Sequence, residues 1–149
     1  MPLIDLIDKN VIKTPLTSTM KYDVIMELLG ILDKAGKLEN LDKAAEAVFA
    51  REDLGSTGLE GGIAVPHAKT TTVKTLTIAI GIAPEGIDFN ALDGKPSRLF
   101  FLMLAPPDQT GPHIEALSEI AKITQSKSFV EALQRAKTPE AVLDLFQEP

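Results

Sequence analysis

Apolar residues recur at helical spacing in five segments of the chain, and the ends of these segments carry recognisable helix signals. The first helix is predicted to begin after Thr19, whose side chain can accept a bond from a free backbone N–H, and to stop at Gly36. The second is predicted to begin after Asn40 and to end near residues 51–53. Three more helices are predicted later in the chain: over about residues 112–124, from Ser128 in a Ser-x-x-Glu capping box, and from Thr138–Pro139.

Four other segments show the patterns of β-strands. Residues 76–83 combine β-branched side chains with alternation, and residues 98–104 are apolar after the first position, which predicts a central strand buried on both faces. Shorter strands are predicted at residues 11–12 and 63–65. Pro66 should end the second of these, because proline has no amide hydrogen to donate to a sheet ladder.

The interleaved order of helices and strands predicts the fold class. With 149 residues and 44% hydrophobic composition, the chain has the size of one domain and enough apolar side chains for an ordinary core. We therefore expect a single α/β domain over residues 1–149, built on one mixed, mainly parallel β-sheet flanked by helices on both sides. Residues 69–72 should form an exposed polar loop, and residues 84–96 a long connection between two strands.

Charge and composition argue against several kinds of function. The chain carries 15 basic and 21 acidic residues, and a net charge of −6 is unfavourable for nucleic acid binding, which needs clustered cations. No apolar run approaches the roughly 20 residues of a membrane span, so we expect no direct membrane insertion. The start of the chain lacks the pattern of a secretory signal, and the chain has no cysteine, which fits a cytoplasmic protein.

One decapeptide, Gly61 to Thr70, contains the most distinctive chemistry of the sequence. Two glycines and a short apolar strand lead to Pro66, which should place His67 at the carboxyl end of a strand, where open α/β sheets bind their ligands. A neutral imidazole near physiological pH is a good nucleophile. The residues alone leave an alternative open, in which His67 is a structural histidine hydrogen-bonded beneath a loop.

Two further side chains are candidates to assist His67. His113 lies at the start of a predicted helix, on a face that it shares with positions 117, 120 and 124, where helix N–H groups favour anions. Arg51 offers the paired donors that match phosphate oxygens. Each has a plainer alternative, since His113 can simply cap its helix and Arg51 can complement the dipole at the end of another.

Motifs that are missing narrow the chemistry further. The chain has neither a phosphate-binding Gly-x-x-x-x-Gly-Lys-Ser/Thr loop nor a Gly-x-Gly-x-x-Gly loop after a strand, so neither ATP nor a dinucleotide is expected to bind. Two histidines and a carboxylate could hold zinc, but no short ligand spacing supports such a site. We therefore expect no cofactor and no metal.

The segment around His67 resembles a known family. Gly62 to Thr70, Gly-Ile-Ala-Val-Pro-His-Ala-Lys-Thr, is similar to the phosphorylation-site signature of the fructose/mannitol class of enzyme IIA domains of the phosphotransferase system, most of all its fructose-type branch. Further similar motifs follow the same order along most of the chain: Arg51-Glu52 before Ser56-Thr57-Gly58, Glu85 to Phe89, Leu92 to Pro96, and His113.

The resemblance implies both a fold and a function. It implies the mixed sheet described above, and a phosphoryl carrier that becomes a tele-phosphohistidine at His67. The group would come from the phosphocarrier protein HPr and pass to a cysteine of an enzyme IIB domain during sugar uptake. His113 would stabilise the phosphoryl group and Arg51 would contact its oxygens. Four more residues are candidates for substrate or partner contacts from their chemistry: Thr57 and Thr70 through their hydroxyls, Ala68 as part of an apolar rim, and Lys69 as a rim charge. The alternative for Lys69 is a solvated lysine of the loop.

Two alternatives from other functional classes remain at this point. The nitrogen-related branch of the same fold uses its phosphorylation state to control partner proteins, and this chain could be such a regulator. The second alternative is a metal-dependent hydrolase that uses His67 and His113 as ligands.

Overall fold

The structure, a computed structural model that describes residues 2–147, is organised around one central strand, β5 (Ser97–Ala105). Within this range the other strands are β1 (Ile12–Lys13), β2 (Ile63–Ala64), β3 (His67–Lys69) and β4 (Thr77–Ile87). The helices are α1 (Lys21–Lys34), α2 (Leu41–Leu54), α3 (Thr110–Ile123), α4 (Lys127–Arg135) and α5 (Pro139–Gln147), after two short 3-10 turns at Leu3–Leu6 and Lys9–Val11. None of the helices between residues 2 and 147 has the length and apolar character to cross a bilayer.

Pairing around β5 determines the topology of the sheet. One edge of β5 pairs antiparallel with β4, and the other edge pairs parallel with β2 and then with β3. β1 extends the sheet beyond β4 in a parallel pairing. The residues of β5 from Leu99 onward have no solvent exposure, which confirms the central strand predicted from its apolar run. The predicted fold class, a mixed and mainly parallel sheet flanked by helices, is confirmed.

The sheet pairing is interrupted between β2 and β3. β2 ends at Ala64, and the amide of Val65 turns away to donate to the Thr57 carbonyl. Pro66 has no N–H, but its carbonyl accepts a bond from Met103 N at 2.9 Å, which brings the chain back to β5. His67 therefore begins a new strand opposite Met103, so the prediction that it ends a strand is wrong, although it does lie near the carboxyl end of β5.

Two segments predicted as loops are more ordered than expected. β4 continues past Pro84 to Ile87, where a shift in register lets a proline occupy a strand because the ladder is already irregular there. Thr70 and Thr72 were expected to be exposed, yet both are buried. Their hydroxyls lie 3.2 Å apart, and the Thr70 hydroxyl also accepts from the amide of Thr72, so the loop satisfies its own polar groups.

The predicted residues at the helix N-termini are confirmed for two helices and wrong for two others. Asn40 accepts a bond from Lys43 N and Thr138 from Ala141 N, as predicted. α1 has no side-chain cap, so the prediction of Thr19 as its cap is wrong. The cap of α4 is Ser126, which accepts from Phe129 N, and the predicted start at Ser128 is also wrong because Ser128 already lies inside the helix.

Packing of the helices brings several chain segments around the start of β3. α2 packs against β3 and α1, and α3 packs against β5. α1 lies close to the sheet at Gly81 of β4, where an added Cβ would come within 2.9 Å of side-chain atoms of Leu16 and Leu28. The end of α2 and the start of α3 are thereby placed near the segment that contains His67.

Candidate functional site

The ring of His67 is held by the backbone of its own segment. Its Nδ1 lies 2.7 Å from the carbonyl oxygen of Val65. A carbonyl oxygen can only accept a hydrogen bond, so Nδ1 must be protonated, and in the neutral ring Nε2 then has the free lone pair. The residue is half-buried, so part of its surface remains accessible. This geometry favours attack by Nε2, the tele nitrogen.

His113 lies directly beside this ring. The two imidazoles meet edge to face, with centroids 5.4 Å apart and planes inclined by 75°. His113 lies in the first turn of α3 and is only 5% exposed. Among the described residues, its buried Nε2 has no hydrogen-bond partner. Such a group is costly to bury, so an unpaired ring nitrogen beside a nucleophile is a candidate contact for a ligand.

The environment of His113 favours its neutral ring. Burial lowers the pKa of His113, and the positive charge that His67 carries when protonated and that of Lys69 lower it further. A neutral imidazole has one N–H donor and one acceptor, and it can therefore offer a hydrogen bond to an anion without carrying a charge of its own.

The three residues that follow His67 differ in their surroundings. Lys69 is exposed at the end of β3, and its ammonium is close enough to act on His113. Ala68 and Thr70 are 6% and 5% exposed. These two were predicted to contact a substrate or partner, but their burial leaves little surface for such a contact, and the Thr70 hydroxyl is already bonded within its loop.

Arg51 lies in the last turn of α2. Its Nη1 donates to the carbonyl oxygen of Gly55 at 2.9 Å, so the guanidinium closes the end of the helix. This is the plainer of the two roles considered for it. Within residues 2–147 no hydrogen bond or ring contact joins Arg51 to His67, although the helix that carries Arg51 packs against β3.

A buried ionic group next to the site was missed by sequence reasoning. Glu52 is 4% exposed, and its Oε2 lies 2.9 Å from Nζ of Lys21. The same carboxylate accepts from the amide of Thr57 at 3.3 Å and from the Thr57 hydroxyl. The Thr57 hydroxyl therefore points to Glu52, and Thr57 is itself only 3% exposed, which differs from the expected contact with a substrate or partner. A signal was present, since Glu52 falls on the same helical stripe as Ala45 and Val48.

The described residues contain no arrangement suited to a metal. Between residues 2 and 147, no group of three or more His, Cys, Asp or Glu side chains is placed to hold an ion. The half-buried ring of His67 beside His113 is instead suited to nucleophilic attack on an electrophile that carries negative charge.

Comparison with known proteins agrees with the motifs in this chain. Residues 5–148 match the sequence profile of the family described as "Phosphoenolpyruvate-dependent sugar phosphotransferase system, EIIA 2". The chain is similar to the "PTS system fructose-specific EIIABC component" of Bacillus subtilis, with 36% identity over 99% of this chain. It spans only 23% of that longer protein.

Two further relatives are closer to the chain in length. The "PTS system fructose-specific EIIA component" of Haloferax volcanii is 35% identical over 86% of this chain and 83% of its own length. The crystal structure of the nitrogen regulatory protein IIA-Ntr from Neisseria meningitidis superposes with a TM-score of 0.88 at 33% identity, over 97% of this chain and 99% of the other.

Proposed function

Because the chain belongs to the EIIA 2 family of the phosphoenolpyruvate-dependent sugar phosphotransferase system, we propose that it carries a phosphoryl group on Nε2 of His67. The observation that supports this most directly is the bond between Nδ1 of His67 and the Val65 carbonyl, which leaves Nε2 unprotonated and available. A half-exposed nucleophile beside a buried, unpaired imidazole is the arrangement that such a carrier needs.

The transfer step follows from the protonation state of the ring. The Nε2 lone pair of His67 attacks phosphorus in the phosphohistidine of the donor, which we propose to be HPr. A new P–N bond forms at Nε2, and the P–N bond of the donor breaks, so the donor nitrogen recovers its electron pair. Nδ1 of His67 keeps its proton throughout, bonded to Val65 O. While Nδ1 keeps this proton, the phosphorylated ring of His67 is an imidazolium with one positive charge, which offsets part of the negative charge of the phosphoryl group. The donor ring, protonated at its other nitrogen before the transfer, leaves as a neutral imidazole, so the charge balances.

Charge stabilisation is assigned to three nearby groups. A phosphoryl group brings roughly −1.5 to −2 charge at neutral pH, by analogy with other phosphorylated residues. His113 would donate a hydrogen bond from its unpaired ring nitrogen, and the exposed ammonium of Lys69 would add positive charge at the rim. We propose that the Arg51 guanidinium contacts the phosphoryl oxygens only after its hydrogen bond to the Gly55 carbonyl has broken, because that bond is present in the unphosphorylated chain.

The acceptor that we propose is a cysteine of an enzyme IIB domain, with the exchange taking place in the cytoplasm. The name of the Bacillus subtilis relative joins A, B and C components in one protein, of which this chain corresponds to a short part. Ile114, next to His113, is 57% exposed and offers apolar surface beside the site for a protein partner. The chain itself has no cysteine to accept the group.

A second candidate function is regulation of partner proteins by phosphorylation state. Its support is the likeness to the Neisseria meningitidis nitrogen regulatory protein, which covers nearly all of both chains. The same nucleophile would serve both functions, so the partner distinguishes them. Phosphoryl transfer to a IIB cysteine indicates sugar uptake, whereas a regulator would bind its target differently in the two states without transfer.

The test is reconstitution of the chain with enzyme I, HPr and phosphoenolpyruvate, followed by intact mass measurement. We expect one phosphoryl group that is lost in acid and stable in alkali, as the P–N bond of phosphohistidine requires. In a phosphorus–proton NMR correlation, attachment at Nε2 couples phosphorus to both ring protons of His67, and attachment at Nδ1 couples it to one. Undiminished uptake by a His67→Ala variant would refute the assignment, while Glu46→Gln on the exposed face of α2 serves as a matched control.

A further inference from the structure

A continuous set of contacts links a buried ion pair to the ring of His67. Glu52 at the end of α2 binds Lys21 at the start of α1 through a 2.9 Å contact. It also accepts from both the amide and the hydroxyl of Thr57. The Thr57 carbonyl accepts from Val65 N at 3.0 Å, and the Val65 carbonyl accepts from Nδ1 of His67 at 2.7 Å.

We propose that Glu52 is a positioning residue that holds His67 in the tautomer with a free Nε2, acting through the peptide groups of Thr57 and Val65. This inference rests on the proposed role of His67 as the phosphoryl carrier. Glu52 does not touch the reacting atoms. It binds the amide of Thr57, and the Thr57 carbonyl accepts from the amide of Val65. The Val65 carbonyl in turn accepts the hydrogen bond from His67 Nδ1.

Because Glu52 is buried, its carboxylate can adopt few positions. The Glu52 side chain has no solvent exposure, and that of Lys21 has 11%. A charge removed from water must find its partners within the protein, so the carboxylate is restricted to the positions where Lys21 and Thr57 can satisfy it. Lys21 is held in turn over the ring of Phe89, with Nζ 4.8 Å from the centroid and the ring fully buried. Both ends of the ion pair are thus anchored in packed structure.

The segment between Thr57 and His67 is also held by β5, because Ile63 and Ala64 pair with that strand and the Pro66 carbonyl accepts from Met103 N. Gly61 and Gly62 both adopt positive φ, at 77° and 81°, where the chain turns back toward the sheet. Val65 itself lies between the residues of β2 and β3 that pair with β5, and its amide donates to the Thr57 carbonyl. The bond from Val65 N to the Thr57 carbonyl is therefore the contact that transmits the position of the buried carboxylate to this peptide.

A positioning role of Glu52 and a purely structural role of its ion pair predict different experimental results. A structural role predicts a change in the free energy of unfolding alone. A positioning role predicts a change in the tautomer of His67 in the resting protein, and a fall in kcat for phosphoryl transfer with little change in KM, because the partner surface is intact. Misplacing a nucleophile by about an ångström can cost on the order of 100-fold in rate.

The experiment compares Glu52→Gln with Thr57→Val, Thr57→Ser and the control Glu46→Gln. Nitrogen-15 NMR of the His67 ring gives the tautomer, and transfer from phosphorylated HPr gives kcat and KM. We expect Glu52→Gln and Thr57→Val to populate the Nε2–H tautomer and to lower kcat by about 10- to 100-fold. Thr57→Ser, which keeps the hydroxyl, should restore most of the activity, and Glu46→Gln, an exposed carboxylate on the same helix, should behave as the parent.

Each outcome of these measurements decides the proposal. If Glu52→Gln fails to fold, Thr57→Val decides, since it leaves the ion pair with Lys21 in place. An unchanged His67 tautomer in folded variants overturns the proposal, whether or not transfer falls. If no variant and not even the parent accepts a phosphoryl group, the proposed function fails, but the tautomer still shows whether Glu52 positions the ring.

Discussion

The ring of His113 stands edge-on to the ring of His67, with centroids 5.4 Å apart and planes at 75°. The ring of His67 is held at Nδ1 and half-buried, while that of His113 is buried, and its Nε2 has no hydrogen-bond partner between residues 2 and 147. The two imidazoles can therefore take different roles at a phosphoryl site. His67 can form the bond to phosphorus, and His113 can donate a hydrogen bond to the negatively charged phosphoryl oxygens. The predictions below test this division and the packing that supports it.

Removing the His113 ring should impair transfer more than folding. A hydrogen bond to a charged group is worth about 1.5–3 kcal/mol, so we expect His113→Ala to slow phosphoryl transfer by roughly 10- to 100-fold. His113→Gln retains an N–H donor and should be milder. Phosphorylation of His67 should also shift the His113 ring signals in an NMR spectrum. Fixed signals together with full activity of His113→Ala would remove His113 from the site.

Stability should depend on pH through His113. Burial, then the positive charge of a protonated His67 and that of Lys69, place the pKa of His113 in the folded protein below its ordinary value of 6.5. The unfolded chain therefore binds a proton more readily, so this contribution to stability is complete above about pH 6.5 and is lost as the pH falls toward the lowered pKa. Urea unfolding of the parent and of His113→Gln, between about pH 5 and pH 8, measures it. Parallel curves for the two proteins would contradict the prediction.

Replacement of Arg51 distinguishes a helix-capping role from a role in phosphoryl transfer. The Arg51 hydrogen bond to the Gly55 carbonyl closes the end of α2, so Arg51→Ala should cost within about 1 kcal/mol of unfolding free energy. If the guanidinium moves to the phosphoryl group, transfer should slow by a larger factor than that loss explains. Arg135→Ala, which removes an exposed cation from the last turn of α4, is the matched control. Normal transfer with a clear fall in Tm would leave only the capping role.

Two glycine-to-alanine substitutions should have opposite effects on stability. At Gly81 an added methyl group would lie 2.9 Å from Leu16 Cδ1 and from Leu28 Cδ2, so Gly81→Ala should destabilise the fold by about 1–3 kcal/mol. At Gly30, inside α1, nothing lies within 4 Å, and Gly30→Ala should stabilise by about 0.5–1 kcal/mol. Thermal unfolding of both variants measures this, at roughly 2–4 °C per kcal/mol. Equal effects at the two positions would show that α1 does not pack closely on β4.

Where chemistry acts locally, the sequence by itself was sufficient. Asn40 caps the next helix because its side chain reaches an amide three residues on, and such a bond needs no distant partner. The apolar run of β5 predicted a strand buried on both faces, because no other position in a sheet accommodates it. The decapeptide around His67 identified both the family and the candidate nucleophile, since its signature is read directly from neighbouring residues.

Only the tertiary structure decided which residues meet. His113 could have been a helix cap or a site residue, and its position beside His67 depends on how α3 packs against β5. Thr70 looked exposed from its polarity, but the turn after β3 buries it with a bonded partner. The sequence shows Glu52 only as a charged residue near the end of a helix. The structure shows that it is buried and paired with Lys21, because α1 places Lys21 opposite it. The physical reason is that periodicity and capping depend on neighbours in the chain, whereas burial, pKa shifts and side-chain partners depend on groups that folding brings together.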